Sequence, residues 1–118
     1  MRTVKVTTLR KLKEIIENSP NDADLNYLDV SELTSMNSAF LSSQFNGDIS
    51  KWDVYNVTNM NGTFNDSQFN GDLSKWNTKK VTFSIGAFTN TALGTFSTIK
   101  KYNSAYNTLT NLGHLKRR

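Results

Sequence analysis

Residue types that do covalent or metal chemistry are scarce in this chain, and their spacing argues against most reactions. His114 is the single histidine of 118 residues, and no acid follows Asp72 in the sequence to pair with it. There is no cysteine, which excludes disulfides, thiolate nucleophiles and cysteine-bearing zinc sites. Serine and threonine are plentiful, yet no nucleophile elbow, P-loop or H-E-x-x-H pattern surrounds them. Asp48 and Asp72 recur in Asn46-Gly47-Asp48 and Asn70-Gly71-Asp72. They lack the dense D-x-[DN]-x-[DN] ligand run of a calcium loop, so turn capping is the expected role. No catalytic residue, metal ligand or cofactor site is expected, and the chain reads as a non-enzyme.

Binding chemistry is better represented. Tyr27, Lys51, Tyr55, Lys75, Lys79 and Lys80 combine aromatic area with cationic heads. Exposed tyrosine suits an interface because it buries a large area at low entropy cost. The bland alternative for this set is an ordinary solvated face. A second set, Lys100, Lys101, Tyr102, Tyr106, Lys116, Arg117 and Arg118, interleaves bases with aromatics. That composition can hold a polyanion through phosphate charge and base stacking. Its alternative is a polar cap with a basic tail.

Both sets need a frame, and a repeat supplies it. FNGDISKW (Phe45–Trp52) returns 24 residues later as FNGDLSKW (Phe69–Trp76), identical at seven of eight positions. Leu25-x-x-Leu28-x-Val30 aligns with Ile49-x-x-Trp52-x-Val54 and Leu73-x-x-Trp76-x-Thr78. Leu33, Val57 and Val81 correspond, as do Phe40, Phe64 and Phe88; Met36 and Met60 match, with Ser84 in the third copy. The spacing predicts an α/β chain, a short right-handed leucine-rich-repeat-like solenoid of about three 24-residue turns. Each L-x-x-L-x-L end alternates as a half-buried strand, each V-x-x-M-x-x-x-F suits a short helical turn, and the Asn-Gly-Asp corners place glycine at positive φ. Residues 1–118 form one domain: an N-terminal cap over 1–21, repeats over 22–93, and a C-terminal cap and basic tail over 94–118. Leu9, Leu12, Ile15 and Ile16 predict the N-terminal helix, stopping before Pro20. The C-terminal part reads as a helix or a degenerate repeat.

The phrase FNGDISKWDVYNVTNMNGTF (Phe45–Phe64) resembles the repeat of the BspA-like, mycoplasma-lipoprotein-type leucine-rich-repeat family. Asp22–Phe40 is similar to that family's lead-in. The resemblance implies a right-handed solenoid and a bacterial surface protein engaged in adhesion or binding; it brings no catalytic residue. Tyr55 stands where the phrase has serine, and Asn77-Thr78-Lys79-Lys80 replaces Asp-Val-Ser-Asn in the third copy.

Charge is sharply divided. All ten acids lie in residues 14–72 against one base, Lys51, and eight bases with no acid follow from Leu73 onward. Such a layout permits head-to-tail self-association or docking on a partner with the complementary split. No apolar run reaches the ~20 residues of a membrane helix, and the charged start lacks a secretory core. The expectation is a cytoplasmic protein-binding module that occupies a partner's surface, in the manner of a small inhibitor from a phage or mobile element directed against host defence, such as an anti-CRISPR. Alternatives are a fragment of a cell-surface adhesion protein, or binding of nucleic acid or nucleoprotein through the basic C-terminal region.

Overall fold

The first ordered segment is set by a cap and a stripe. Thr8 has extended backbone, and its hydroxyl accepts the Lys11 N–H at 3.1 Å, opening helix α1 over Leu9–Asn18. Leu12 and Ile16 are buried, with Leu9 and Ile15 packed beside them. Ser19 closes the helix: its N–H donates to Ile16 O and its hydroxyl to Ile15 O at 2.6 Å. Pro20, with no N–H to give, follows. The computed structural model describes residues 3–92. The expected C-terminal cap over 94–118 and the set Lys100, Lys101, Tyr102, Tyr106, Lys116, Arg117 and Arg118 lie outside those residues, as does His114.

The leucine-rich-repeat-like α/β solenoid is not what the structure shows. Among the described residues its regular elements are α1 and two strands of two residues each, in a small globular domain. Strand β1, Val4–Lys5, pairs in parallel with β2, Leu28–Asp29, in the register Val4↔Leu28. No sheet of repeat strands runs through the three copies; elsewhere there are isolated bridges, Asp24↔Asp48, Ser35↔Asn59 and Asn59↔Phe83.

The side chains explain the difference. Within each expected strand, aspartate or asparagine captures the N–H two residues on, a local bond that competes with strand pairing. Asp24 takes Asn26 N, Asp48 takes Ser50 N and Asp72 takes Ser74 N. Asp29, Asp53 and Asn77 do the same for Ser31, Tyr55 and Lys79 at 3.0–3.1 Å. These bonds also give Asp48 and Asp72 the turn-capping role. The expected helical turns fail for another reason. Ser38, Gly62 and Gly86 have φ of 56°, 63° and 68°, and Ser42, Asp66 and Asn90 have 54°, 58° and 57°. Left-handed residues every fourth position cannot continue a right-handed helix.

The corner glycines are also used differently from the expectation. Gly47 and Gly71 are not at positive φ; that role falls to Gly62 and Gly86. At Gly47 a Cβ would collide with Ala23 O and the Phe45 ring, and at Gly71 with the Phe69 ring. Close approach, not a left-handed turn, demands glycine there.

The aligned apolar positions do form the core, with Leu25, Leu28, Val30, Ile49, Trp52, Val54, Leu73 and Trp76 all buried. Equivalent rings face one another: Phe40 and Phe64 at 5.0 Å, Phe64 and Phe88 at 5.6 Å, Trp52 and Trp76 at 6.2 Å. Each indole also reaches back one copy, Trp52 Nε1 donating to Leu25 O at 2.9 Å and Trp76 Nε1 to Ile49 O at 3.0 Å. Apolar burial together with satisfied indole N–H groups ties adjoining copies to each other.

Candidate functional site

The turns that follow Trp52 and Trp76 carry the most distinctive exposed pair. Asp53 Oδ1 accepts the Tyr55 N–H at 3.0 Å and fixes its backbone, and Tyr55 is 42% exposed. Lys80 Nζ lies 4.5 Å from the centre of that ring, and also donates to Asn56 Oδ1 at 3.3 Å. An exposed cation–π contact of this kind is worth about 0.5–1 kcal/mol. Asn56 is itself anchored, its Nδ2 donating to Ser31 O at 2.9 Å. A chain of contacts thus runs from Ser31 of the first copy through Asn56 of the second to Lys80 of the third, which returns to Tyr55 of the second.

The other candidates are exposed as well, and among the described residues none of their side chains bonds to this pair. Tyr27 is exposed beside β2, and Tyr27 O accepts the Val4 N–H at 2.9 Å. Lys51 is exposed, and its backbone N–H donates to Asn26 Oδ1 at 2.8 Å. Lys75 and Lys79 have exposed side chains, with Lys79 N held by Asn77. Tyr27, Lys51, Tyr55, Lys75, Lys79 and Lys80 all stand on turns and not on strands. Their shared exposure therefore comes from repeated turn bonds.

Electrostatics grade across the copies. Lys5 and Glu32 form an ion pair at 2.8 Å on the first copy, and Glu32, by hydrogen bond and charge, holds the Lys5 ammonium above its ordinary value. Asp29 is held below the ordinary carboxylate range by the Ser31 hydroxyl and N–H. Asp48 is lowered by the Asn26 amide, then by Ser50, with the charge of Lys51 adding to the effect. The third copy carries Lys75, Lys79 and Lys80 at the corresponding surface. Among the described residues no group of three His, Cys, Asp or Glu is placed to hold a metal ion.

Two features escaped sequence reasoning. Asn26 and Asn56 bind neighbouring copies, but in a chain rich in asparagine nothing marks them beyond the 24-residue offset. The second is a recess of about 440 Å³ between α1 and residues 38–44, lined by Lys13, Ile16 and Glu17 on one side and Ala39 and Leu41 on the other. Leu41 is 50% exposed, and its counterparts are the polar Asn65 and Thr89. That substitution is the one sequence signal for the recess.

No curated protein and no solved structure matches this chain. A family model does, described as "Mycoplasma protein of unknown function, DUF285", and it covers residues 7–112. That span takes in α1, all three copies and the Tyr55–Lys80 pair, so the chain belongs to the DUF285 family.

Proposed function

We propose that the chain is a non-enzymatic protein-binding module, with Tyr55 and Lys80 at the centre of its contact surface. The observation that carries this reading is a large aromatic side chain that is exposed and yet held in place. Asp53 fixes its backbone and Lys80 covers one part of its ring. A pre-positioned tyrosine loses little freedom on binding, which is what makes such residues interface anchors. Tyr27, Lys51, Lys75 and Lys79 would supply the surrounding rim. The module acts by occupying its partner's surface, as a small inhibitor does. The likeness of Phe45–Phe64 to the BspA-like repeats supports a surface-recognition setting as the second reading.

The test is a pull-down with the tagged full chain from a bacterial lysate, with and without nuclease, beside Tyr55→Ala and Lys80→Ala. The expected result is a stoichiometric protein that survives nuclease and moderate salt, with recovery cut about tenfold or more by Tyr55→Ala, equivalent to about 1.4 kcal/mol. Equal recovery by wild type and Tyr55→Ala would overturn the site. Nuclease-sensitive, salt-labile recovery would move the function to polyanion binding.

A further inference from the structure

The face that carries Tyr55 and Lys80 has its charge sorted along the stack of copies. Contacts on it tie the copies in order: the Lys51 N–H to Asn26, Asn56 to Ser31, and Lys80 to Asn56. Asp24 and Asp48 form a parallel bridge, so the first two copies run in the same direction. At the 24-residue offset Tyr27, Lys51 and Lys75 correspond, as do Ser31, Tyr55 and Lys79. Glu32, Asn56 and Lys80 make a third such row.

The two ends of these rows differ in sign. The first copy presents Asp24, Asp29 and Glu32, with only Lys5 against them, paired to Glu32 at 2.8 Å. The third presents Lys75, Lys79 and Lys80 beside Asp72. Among the described residues none of those three lysines has an ion pair, and Lys80 reaches only the neutral Asn56 amide and the Tyr55 ring. The middle copy carries both signs, Lys51 and Asp53, around Tyr55.

Charge complementarity selects what covers such a face. Residues 93–118 bring bases and no acid, the wrong sign for the lysines. A polyanion meets the lysines but is repelled by Asp24, Asp29 and Glu32 at the other end. A surface carrying both signs is required, and the chain itself has one. Two copies can meet face to face about a two-fold axis in two ways. With the axis along the stack, third copy lies against third copy and lysine against lysine. With the axis across the stack the order reverses. The acidic end of each chain then meets the basic end of the other, twice over, and Tyr55 lies near the axis.

We propose that the chain pairs with a second copy of itself in this reversed arrangement, Glu32 of each chain facing Lys80 of the other and Tyr27 facing Lys75. The pairing rests on the reading of Tyr55 and Lys80 as a contact surface and names what covers it. It closes on itself and stops at two chains. Three copies about 4.8 Å apart give a face smaller than the ~800 Å² per partner of a standard interface, so the association is weak and screened by salt.

The test is sedimentation equilibrium of the nuclease-treated full chain up to about 1 mM, a range that catches weak pairs. A monomer–dimer equilibrium without larger species is expected, weakened at least about fivefold between about 0.05 and about 0.5 M salt. Tyr55→Ala should weaken it at least about fivefold, since each chain contributes the ring. Two charge variants read the orientation. Lys79→Glu with Lys80→Glu makes both ends acidic. Ser31→Lys with Glu32→Lys gives the first copy the residues of the third and makes both ends basic. Each variant alone should be monomeric, and an equimolar mixture should dimerise, which also shows that both are folded. A chain that stays monomeric at low salt overturns the proposal, as does growth beyond the dimer. Variants that melt like the wild type yet do not pair when mixed overturn it too. So does a dimer indifferent to salt, to Tyr55→Ala and to the charge variants, which forms on another face. If a monomeric chain still captures a different protein through Tyr55, the contact surface stands and the pairing alone falls.

Discussion

Three buried hydroxyls separate stable from frustrated positions in this core. Thr63 Oγ1 lies 2.9 Å from both Met36 O and Met60 O and ties the second copy to the first. Thr78 Oγ1 and Ser84 Oγ are buried without a partner among the described residues. They stand where the other copies have Val30 and Val54, and Met36 and Met60. A buried hydroxyl left unpaired costs about 1–3 kcal/mol. Thr78→Val keeps the shape and should raise stability by about 1 kcal/mol, while Thr63→Val should lower it by about 1 kcal/mol. Urea melts with unchanged slopes would read both directly. A loss of stability in Thr78→Val would mean that its hydroxyl is satisfied. At this scale the sequence was informative about Tyr55, a large ring where the repeat expects serine. It was silent about Asn56, whose value lies in reaching Ser31 and Lys80 at once.

Among the elements, legibility followed the kind of force involved. Apolar periodicity reports burial, so Leu9, Leu12, Ile15 and Ile16 mark α1, and the residues aligned with Leu25, Leu28 and Phe40 mark the core. Periodicity does not report backbone hydrogen bonding. The alternation Leu28-x-Val30 looks like a longer strand, but only Leu28–Asp29 is one, because Asp24 and Asp29 spend their carboxylates on the N–H groups of Asn26 and Ser31 to either side. Likewise Val57, Met60 and Phe64 have helical spacing, while Gly62 and Asp66 occupy left-handed backbone. The glycines provide the test. Gly62→Ala at φ 63° should cost about 1 kcal/mol. Gly47→Ala drives a Cβ into Ala23 O, which accepts the Asp48 N–H at 3.0 Å. It should cost more, on the order of 2–4 kcal/mol, because backbone must move. Comparable thermal shifts for the two variants would contradict this division of roles.

For the molecule as a whole, a net charge of +4 conceals its division into an acidic stretch and a basic remainder. Asp29 and Asp48 have lowered folded-state values. Their stabilisation is therefore complete above the unfolded carboxylate value of about 3.9 and is lost as pH falls through the folded one. Lys5 runs the other way: its contribution is present below its unfolded value and disappears as pH rises through the raised one. The melting temperature should stay level from about pH 5 to 7 and drop below about pH 4. Asp48→Asn, which keeps an acceptor and removes the charge, should make that drop shallower; an unchanged profile would assign acid sensitivity to other carboxylates. One further property comes from Trp52 and Trp76, stacked at 6.2 Å with only 10° between their planes. Both indoles are buried, so their fluorescence is that of rings shielded from water and moves to longer wavelength when they are parted and wetted. Because one ring belongs to each of two adjoining copies, the protein carries its own optical gauge of whether those copies remain seated against each other.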